Sequence, residues 1–214
     1  MIIAIDGPAA SGKGTLARRI AAHYGYHHLD TGTLYRAVAR DILKRGLKLD
    51  DVWAGVIAAR VLDPASLSDP ALRGRTAGEA ASVVASIPEV RSTLLKFQQE
   101  FSRRAPGTVL DGRDIGTVVC PHANVKIYVT ASPEERARRR FSELQAAGGT
   151  LSADQVLADI RIRDKRDSER ATAPMKPAED AVLLDTTHLD IDAAFRAAVD
   201  LITTRTGLAG RSSI

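Results

Sequence analysis

The run GPAASGKGT, from Gly7 to Thr15, is the stretch of this chain whose residue types and spacing most directly prescribe chemistry. Its glycines let backbone N–H groups turn inward around an anion, a following helix adds the positive end of its dipole, and Lys13 can reach the β- and γ-phosphates of a nucleotide. Gly7, Pro8, Ala9, Ala10, Ser11, Gly12, Lys13, Gly14 and Thr15 are therefore the predicted triphosphate loop. Gly14 stands where such loops usually place a hydroxyl for magnesium, so Thr15, one residue on, is the candidate for that contact.

A second concentration of chemistry lies in RIRDKRDSERATAP, Arg161 to Pro174. Mixed-sign runs of this kind are ordinarily solvated helix faces tied by weak pairs one turn apart. On a helix turning about 100° per residue, however, Arg163, Arg166, Asp167 and Arg170 fall together, on the face continued by Val156 and Ile160, while Lys165 and Glu169 point away. The run is read as two surfaces, one inward and one solvated, with Asp167 orienting Arg163 and Arg170 by pairing at spacings of four and three.

Five apolar or β-rich stretches must position these groups: Ile2 to Asp6, His27 to Asp30, Thr108 to Asp111, Val125 to Thr130 and Val182 to Asp185. Helix-length segments separate them, which predicts parallel pairing and an α/β sandwich. Asp6, Asp30, Asp111 and Asp185 close four of the five, and ligands of open parallel sheets bind beyond the carboxyl ends of the strands. Asp111 should then face the phosphate loop and hold magnesium through water, whereas Asp6 and Asp30 are read as structural.

Between the strands, a helix is predicted to end before Gly25 and another to run over about 33–45. The segment 47–107 reads as mostly helical, broken at DPASLSDPALRGR, with Trp53, Val56 and Ile57 as packing residues. From Pro133 to Asp167 two charged helices flank Gly148-Gly149, an arrangement suited to a mobile hairpin over a site. One domain is expected, with a core of 1–46, 108–132 and 168–205, an insertion at 47–107, a lid at 133–167 and a disordered tail at 206–214.

Composition narrows the partners. The net charge of +4 suits anions, but aromatics make up only 4% of the 214 residues, which speaks against a base-stacking platform and hence against nucleic acid. The single cysteine, Cys120, excludes an intrachain disulfide framework and is read as a small core residue. No apolar run reaches transmembrane length, and the chain enters a strand-like MIIAID without a basic leader, so a cytoplasmic protein with no membrane partner is expected.

Taken in order, GPAASGKGT, LDTGTLYR, LDGRDIGT and RDKRDSERATAP resemble the bacterial cytidylate kinases over most of the chain. The resemblance implies a three-layer α/β/α sandwich of the P-loop NTPase type, with a five-stranded parallel sheet and acceptor-binding and lid insertions. It implies transfer of the γ-phosphoryl of ATP, with Mg²⁺, to CMP or dCMP, in a monomer.

For the acceptor it implies Ser82, Arg91 and Asp114 around cytosine, and Thr31, Arg36 and Arg113 at the 5′-phosphate. Arg163 and Asp167 are implied at the ribose, Arg170 near the acceptor phosphate and Arg166 as a lid arginine for the transferring group. Arg136 and Arg140, one turn apart, are expected to share a face toward ATP, with Arg138 and Arg139 solvated. One departure stands out: the segment Ala59 to Gly78 is shorter than the corresponding insertion of many family members, which carries extra strands. The rivals are a kinase of this loop type acting on UMP, AMP or a small alcohol, and a non-enzymatic nucleotide-binding regulatory protein.

Overall fold

The computed structural model describes residues 1–72 and 74–208. Its strands are β1 (Ile2–Asp6), β2 (His27–Asp30), β3 (Thr108–Gly112), β4 (Val125–Thr130) and β5 (Val182–Asp185). They form one parallel sheet in the order β2-β3-β1-β4-β5. Four strands keep their predicted limits and β3 gains Gly112.

Alternation along β1 explains the layers. Ile3 and Ile5 point to one face, where they join Leu16, Ile20, Val109, Ile127, Val129 and Ile202. Ala4 points to the other and packs with Leu34, Val38, Ile42, Leu94 and Leu110. Each such fully buried aliphatic side chain contributes roughly 1.5–3 kcal/mol of transfer free energy. The first face is covered by α1 (Lys13–Tyr24) and α8 (Ile191–Thr206), the second by α2 (Thr31–Lys44), α3 (Val52–Arg60), α4 (Arg75–Val84) and α5 (Pro88–Ser102).

Helix ends follow local chemistry. Gly25, in the left-handed region, caps α1 through backbone bonds to Ala21 and Ala22. Ser132 and Pro133 open α6 (Pro133–Ala146), and a reciprocal Ser152–Gln155 capping box opens α7 (Ala153–Glu169). These two helices bury a small core of their own, with Ala137, Val156 and Ile160 at its centre.

The region between α2 and β3 contains helices and two short 3₁₀ turns at Pro64–Ser68 and Pro70–Leu72, with no strand among the described residues. Val56 packs there as expected, but Trp53 is 74% exposed and Ile57 46%, because they lie on the side of α3 turned away from the core. Cys120 is wholly buried. The expected tail disorder does not begin at Thr206: that residue ends α8, Gly207 caps it, and Leu208 hydrogen-bonds to Thr203 and Thr206. Residues 209–214 lie outside the described residues.

Candidate active site

The carboxyl ends of β1, β2 and β3 open into a cavity of about 880 Å³ floored by the loop after β1 and walled by α2, α4 and α7. Gly12 adopts φ 86° at the N-cap of α1 and no side chain caps that helix, so its first N–H groups face outward for an anion. At Gly7, φ 149°, a Cβ would stand 2.0 Å from the Val129 carbonyl oxygen, so the loop can leave β1 in this direction only with glycine. Lys13 lines the cavity with its Nζ 3.2 Å from the Pro8 carbonyl. Burial, then the neighbouring Arg113, push its ammonium down to about 7, against the pull of Asp111 and Asp30.

Across the cavity, arginines surround two buried carboxylates. Asp167 of α7 accepts from Arg113 Nε at 2.9 Å and from Ser82 Oγ at 3.1 Å, with Arg163 Nε at 3.9 Å. Burial alone would raise this carboxyl, but Arg113 and Arg163 outweigh it and hold Asp167 below the usual carboxylate range. Asp114 is paired to Arg91 and lies 3.4 Å from Arg170 Nη2. Burial, and secondarily Arg113, depress the Arg163 guanidinium to about 10, and the buried Nε groups of Arg36 and Arg163 have no hydrogen-bond partner among the described residues. Such a wall suits a dianionic phosphate, since forked guanidinium donors match its oxygens two at a time.

A family model described as Cytidylate kinase matches residues 3–204 of the chain. The chain belongs to that family. Among relatives that carry the name Cytidylate kinase, it is 59% identical to that of Rhodopseudomonas palustris strain BisB18, over 94% of this chain and 95% of the relative. It is 58% identical to that of Bradyrhizobium diazoefficiens with the same coverage, and 59% identical to that of Methylocella silvestris over 94% of each chain. A crystal structure of an uncharacterized protein from Eubacterium ventriosum shares the fold, with a TM-score of 0.55 at 16% identity over 95% of this chain and 98% of that one.

Most of the predicted site residues meet at this one cavity: Ala9, Ala10, Gly12, Lys13, Gly14 and Thr15 on its floor, and Thr31, Arg36, Ser82, Arg91, Asp111, Arg113, Asp114, Arg140, Arg163, Arg166, Asp167 and Arg170 on its walls. Gly7, Pro8 and Ser11 shape the loop from behind, Ser11 being buried. Thr31 donates its hydroxyl to the Asp111 carbonyl at 2.8 Å, tying the start of α2 to β3, while Arg36 reaches the Leu72 carbonyl at 3.2 Å.

Three placements differ from expectation. The helix α7 stops at Glu169, and Arg170 follows in extended geometry, φ −62° and ψ 139°, with its Nε donating to Ala173 O at 2.6 Å. It therefore joins Asp114 rather than pairing with Asp167 along a helix. Arg136 and Arg140 do not share a ligand-facing surface: Arg136 is buried against Asp164, Ala131 O and Ala9 O, while Arg140 reaches the cavity and pairs with Glu143. Arg139, expected in solvent, bonds Glu135, the Thr186 carbonyl at 2.6 Å and the Thr186 hydroxyl at 3.1 Å, against the back of the phosphate loop. Arg138 is exposed and paired with Glu135; Lys165 and Glu169 are exposed.

The magnesium candidates can be tested against the geometry. Asp111 is buried; its Oδ1 is 2.8 Å from His28 Nε2, and its Oδ2 lies 3.5 Å from where a Gly14 Cβ would stand, hence toward the loop. Thr15 lines the same cavity and accepts from Arg18 at 3.2 Å. Among the described residues no group of three or more His, Cys, Asp or Glu could close around a cation. One carboxylate beside a phosphate loop fits Mg²⁺, which keeps several waters and takes other ligands from phosphates.

Sequence reasoning passed over His28, Tyr35 and the Arg75–Asp159 pair. Tyr35 is buried in the cavity wall, with the Arg91 guanidinium carbon 5.5 Å from the centroid of its ring, and its position beside Arg36 in LDTGTLYR was the available signal. Arg75 Nε reaches Asp159 at 2.8 Å, linking α4 to α7 across the cavity mouth, and nothing in the local sequence announces that contact.

Proposed function

We propose that this chain transfers the γ-phosphoryl group of ATP to the 5′-phosphate of CMP or dCMP, giving ADP and CDP or dCDP. The observation that carries the reading is the cavity itself: a glycine loop with Lys13 on one side and, facing it, an arginine wall organised by Asp114 and Asp167.

The chemistry follows from charge. An acceptor phosphate oxygen forms the new bond to the γ-phosphorus as the bond from that phosphorus to the β,γ-bridging oxygen breaks, and the electrons leave with ADP. No general base is needed, because the second ionisation of a phosphate monoester lies near ~6 and the oxygen is already charged at neutral pH. What the protein supplies is positioning and neutralisation. Lys13 serves the β- and γ-phosphates, Arg36 and Arg113 serve the acceptor phosphate with Arg170 near it, and Arg166 approaches the transferring group. Thr31 lies beside the acceptor phosphate and Arg140 at the ATP side of the lid. Asp111 and Thr15 would hold Mg²⁺ largely through water, and the ion, when bound, supplies neutralising charge to the β- and γ-oxygens. The paired helices α6 and α7, with a core of their own, can close as a unit and exclude water.

Base selection rests on Asp114, whose carboxylate is held by Arg91 and Arg170. It can accept from the cytosine N4 amino group, whereas uracil would present an oxygen there, acceptor against acceptor. A closed site with such a mismatch discriminates by roughly 10⁴. Ser82 and Arg91 face the remaining edge, and Asp167 with Arg163 the ribose. All these groups belong to one chain, which supports a monomer as the acting unit. A single buried cysteine and small soluble substrates support a cytoplasmic setting. No helix among the described residues is long and apolar enough to cross a membrane.

Initial rates with ATP·Mg²⁺ against CMP, dCMP, UMP and AMP test the reading. Efficient turnover of CMP or dCMP is expected; strong activity on AMP or UMP with none on CMP would replace it, and nucleotide binding without transfer to any acceptor would favour a regulatory protein.

A further inference from the structure

Asp6 closes β1 immediately before the phosphate loop and is 4% exposed. It does not line the cavity. Its two carboxylate oxygens are both occupied by backbone donors: Oδ1 accepts from Ile115 N and Oδ2 from Gly116 N, each at 2.7 Å. These donors open a single π-helical turn, Ile115–Val119, which begins directly after Arg113 and Asp114. The approach is close enough that a Cβ on Gly116 would stand 3.3 Å from Asp6 Oδ2.

The direction in which the chain leaves β3 decides where Arg113 and Asp114 point. In parallel register Asp6 lies beside Gly112, and the sheet ladder ends there. Past that point the turn bonds to itself, Val118 N and Val119 N donating back to the Asp114 carbonyl. Asp6 fastens this self-bonded turn to the end of β1 by two backbone hydrogen bonds, one to each of its carboxyl oxygens. A side chain at the root of the ATP loop thus holds the loop that carries the acceptor-facing residues.

We propose that Asp6 is a positioning residue for acceptor recognition, fixing the Arg113–Asp114 turn so that the Asp114 carboxylate meets the base edge. This rests on the cytidylate reading of the site. A merely structural Asp6 would weaken both nucleotide sites together, since they share β1. A positioning Asp6 weakens the acceptor side selectively, because both of its bonds go to the acceptor turn.

Asp6→Asn keeps the shape but presents an amide donor to one of the two N–H groups. The measurements are kcat/KM for CMP and for UMP, and the Kd for ATP by direct titration without acceptor. The expected result is a CMP-to-UMP ratio reduced at least tenfold and a KM for CMP raised about tenfold, with the ATP Kd unchanged within twofold. Should Asp6→Asn fail to fold, Gly116→Ala strains the same bond from the other side, its Cβ also standing 3.1 Å from Lys126 Cδ, and the same selective loss is expected. An unchanged ratio in the folded variant, or a parallel loss of CMP and ATP affinity, overturns the inference alone. A wild-type protein that does not prefer CMP to UMP overturns it together with the reading on which it rests.

Discussion

Replacing Asp167 by asparagine removes the one negative charge shared by Arg113 and Arg163 while leaving the side-chain shape intact. Asp167 is 6% exposed at its side chain, and its partners Arg113 and Arg163 are 16% and 24% exposed. Removing one member of a fully buried pair typically costs about 3–5 kcal/mol, because the other charge is left without a partner. Since the arginine ends retain some solvent, a loss at or just below the bottom of that range, about 2–3 kcal/mol, is expected. For a chain of this size each kcal/mol moves the unfolding midpoint by about 2–4 °C, so a fall of about 5–10 °C is expected near pH 7.5 at low salt. A second signature separates this from a packing defect. The Asp167 carboxyl is held below its ordinary range, so its contribution is present above the unfolded value near 3.8 and lost as pH falls through the lower folded value. The gap between wild type and Asp167→Asn should therefore narrow as the solution is acidified below about pH 4. Calorimetry of the ligand-free proteins across pH measures both effects. A midpoint within 2 °C of wild type at pH 7.5, or a gap that stays constant down to acid pH, would refute the view that Asp167 organises the arginine wall.

Two further outcomes follow from the site. With the Lys13 ammonium near 7 in the free protein, a bound triphosphate should restore its proton, so ATP binding takes up nearly one proton at pH 8 and almost none at pH 6. Affinity then falls up to about tenfold per pH unit above 7, and titration calorimetry in buffers of different ionisation enthalpy reads the uptake directly; buffer-independent heats at pH 8 would contradict it. Asp114→Ala removes the carboxylate proposed to accept from the N4 amino group and should lower the CMP-to-UMP ratio of kcat/KM by about 100-fold or more, whereas an unchanged ratio removes Asp114 from base recognition.

The sheet was legible in the sequence because each strand is a short apolar run whose partners follow from the helices between them, and the floor of the site was legible because the phosphate loop is a single local motif. Residues that act through distant partners were harder to place. Arg170 looked helical on the wheel, yet α7 ends one residue earlier, where the chain turns into Ala171–Pro174. Helical spacing separated Arg136, Arg139 and Arg140 into faces, but only the packing of α6 against Ala9 and Thr186 decides which face meets the loop and which meets the cavity. Asp6 was recognised as an acid at a strand end, while its partners are backbone N–H groups 109 and 110 residues away and have no side-chain signature at all.

The same contrast bears on how the site works. Of the carboxylates on the acceptor side, Asp114 and Asp167 already hold arginines drawn from α5, from the turn after β3, and from α7 and the residue beyond it. On the proposed function, binding an acceptor nucleotide would be an exchange: its phosphate takes over guanidinium donors, while its base and ribose take over carboxylate oxygens. Pairing of this kind keeps the arginines from repelling one another in the free protein, and an exchange leaves neither charge without a partner when substrate arrives. It also means that an acceptor without the N4 donor displaces an arginine from Asp114 and returns nothing to it. The preference for cytosine would then be set as much by the Arg91 and Arg170 contacts to Asp114 as by Asp114 itself.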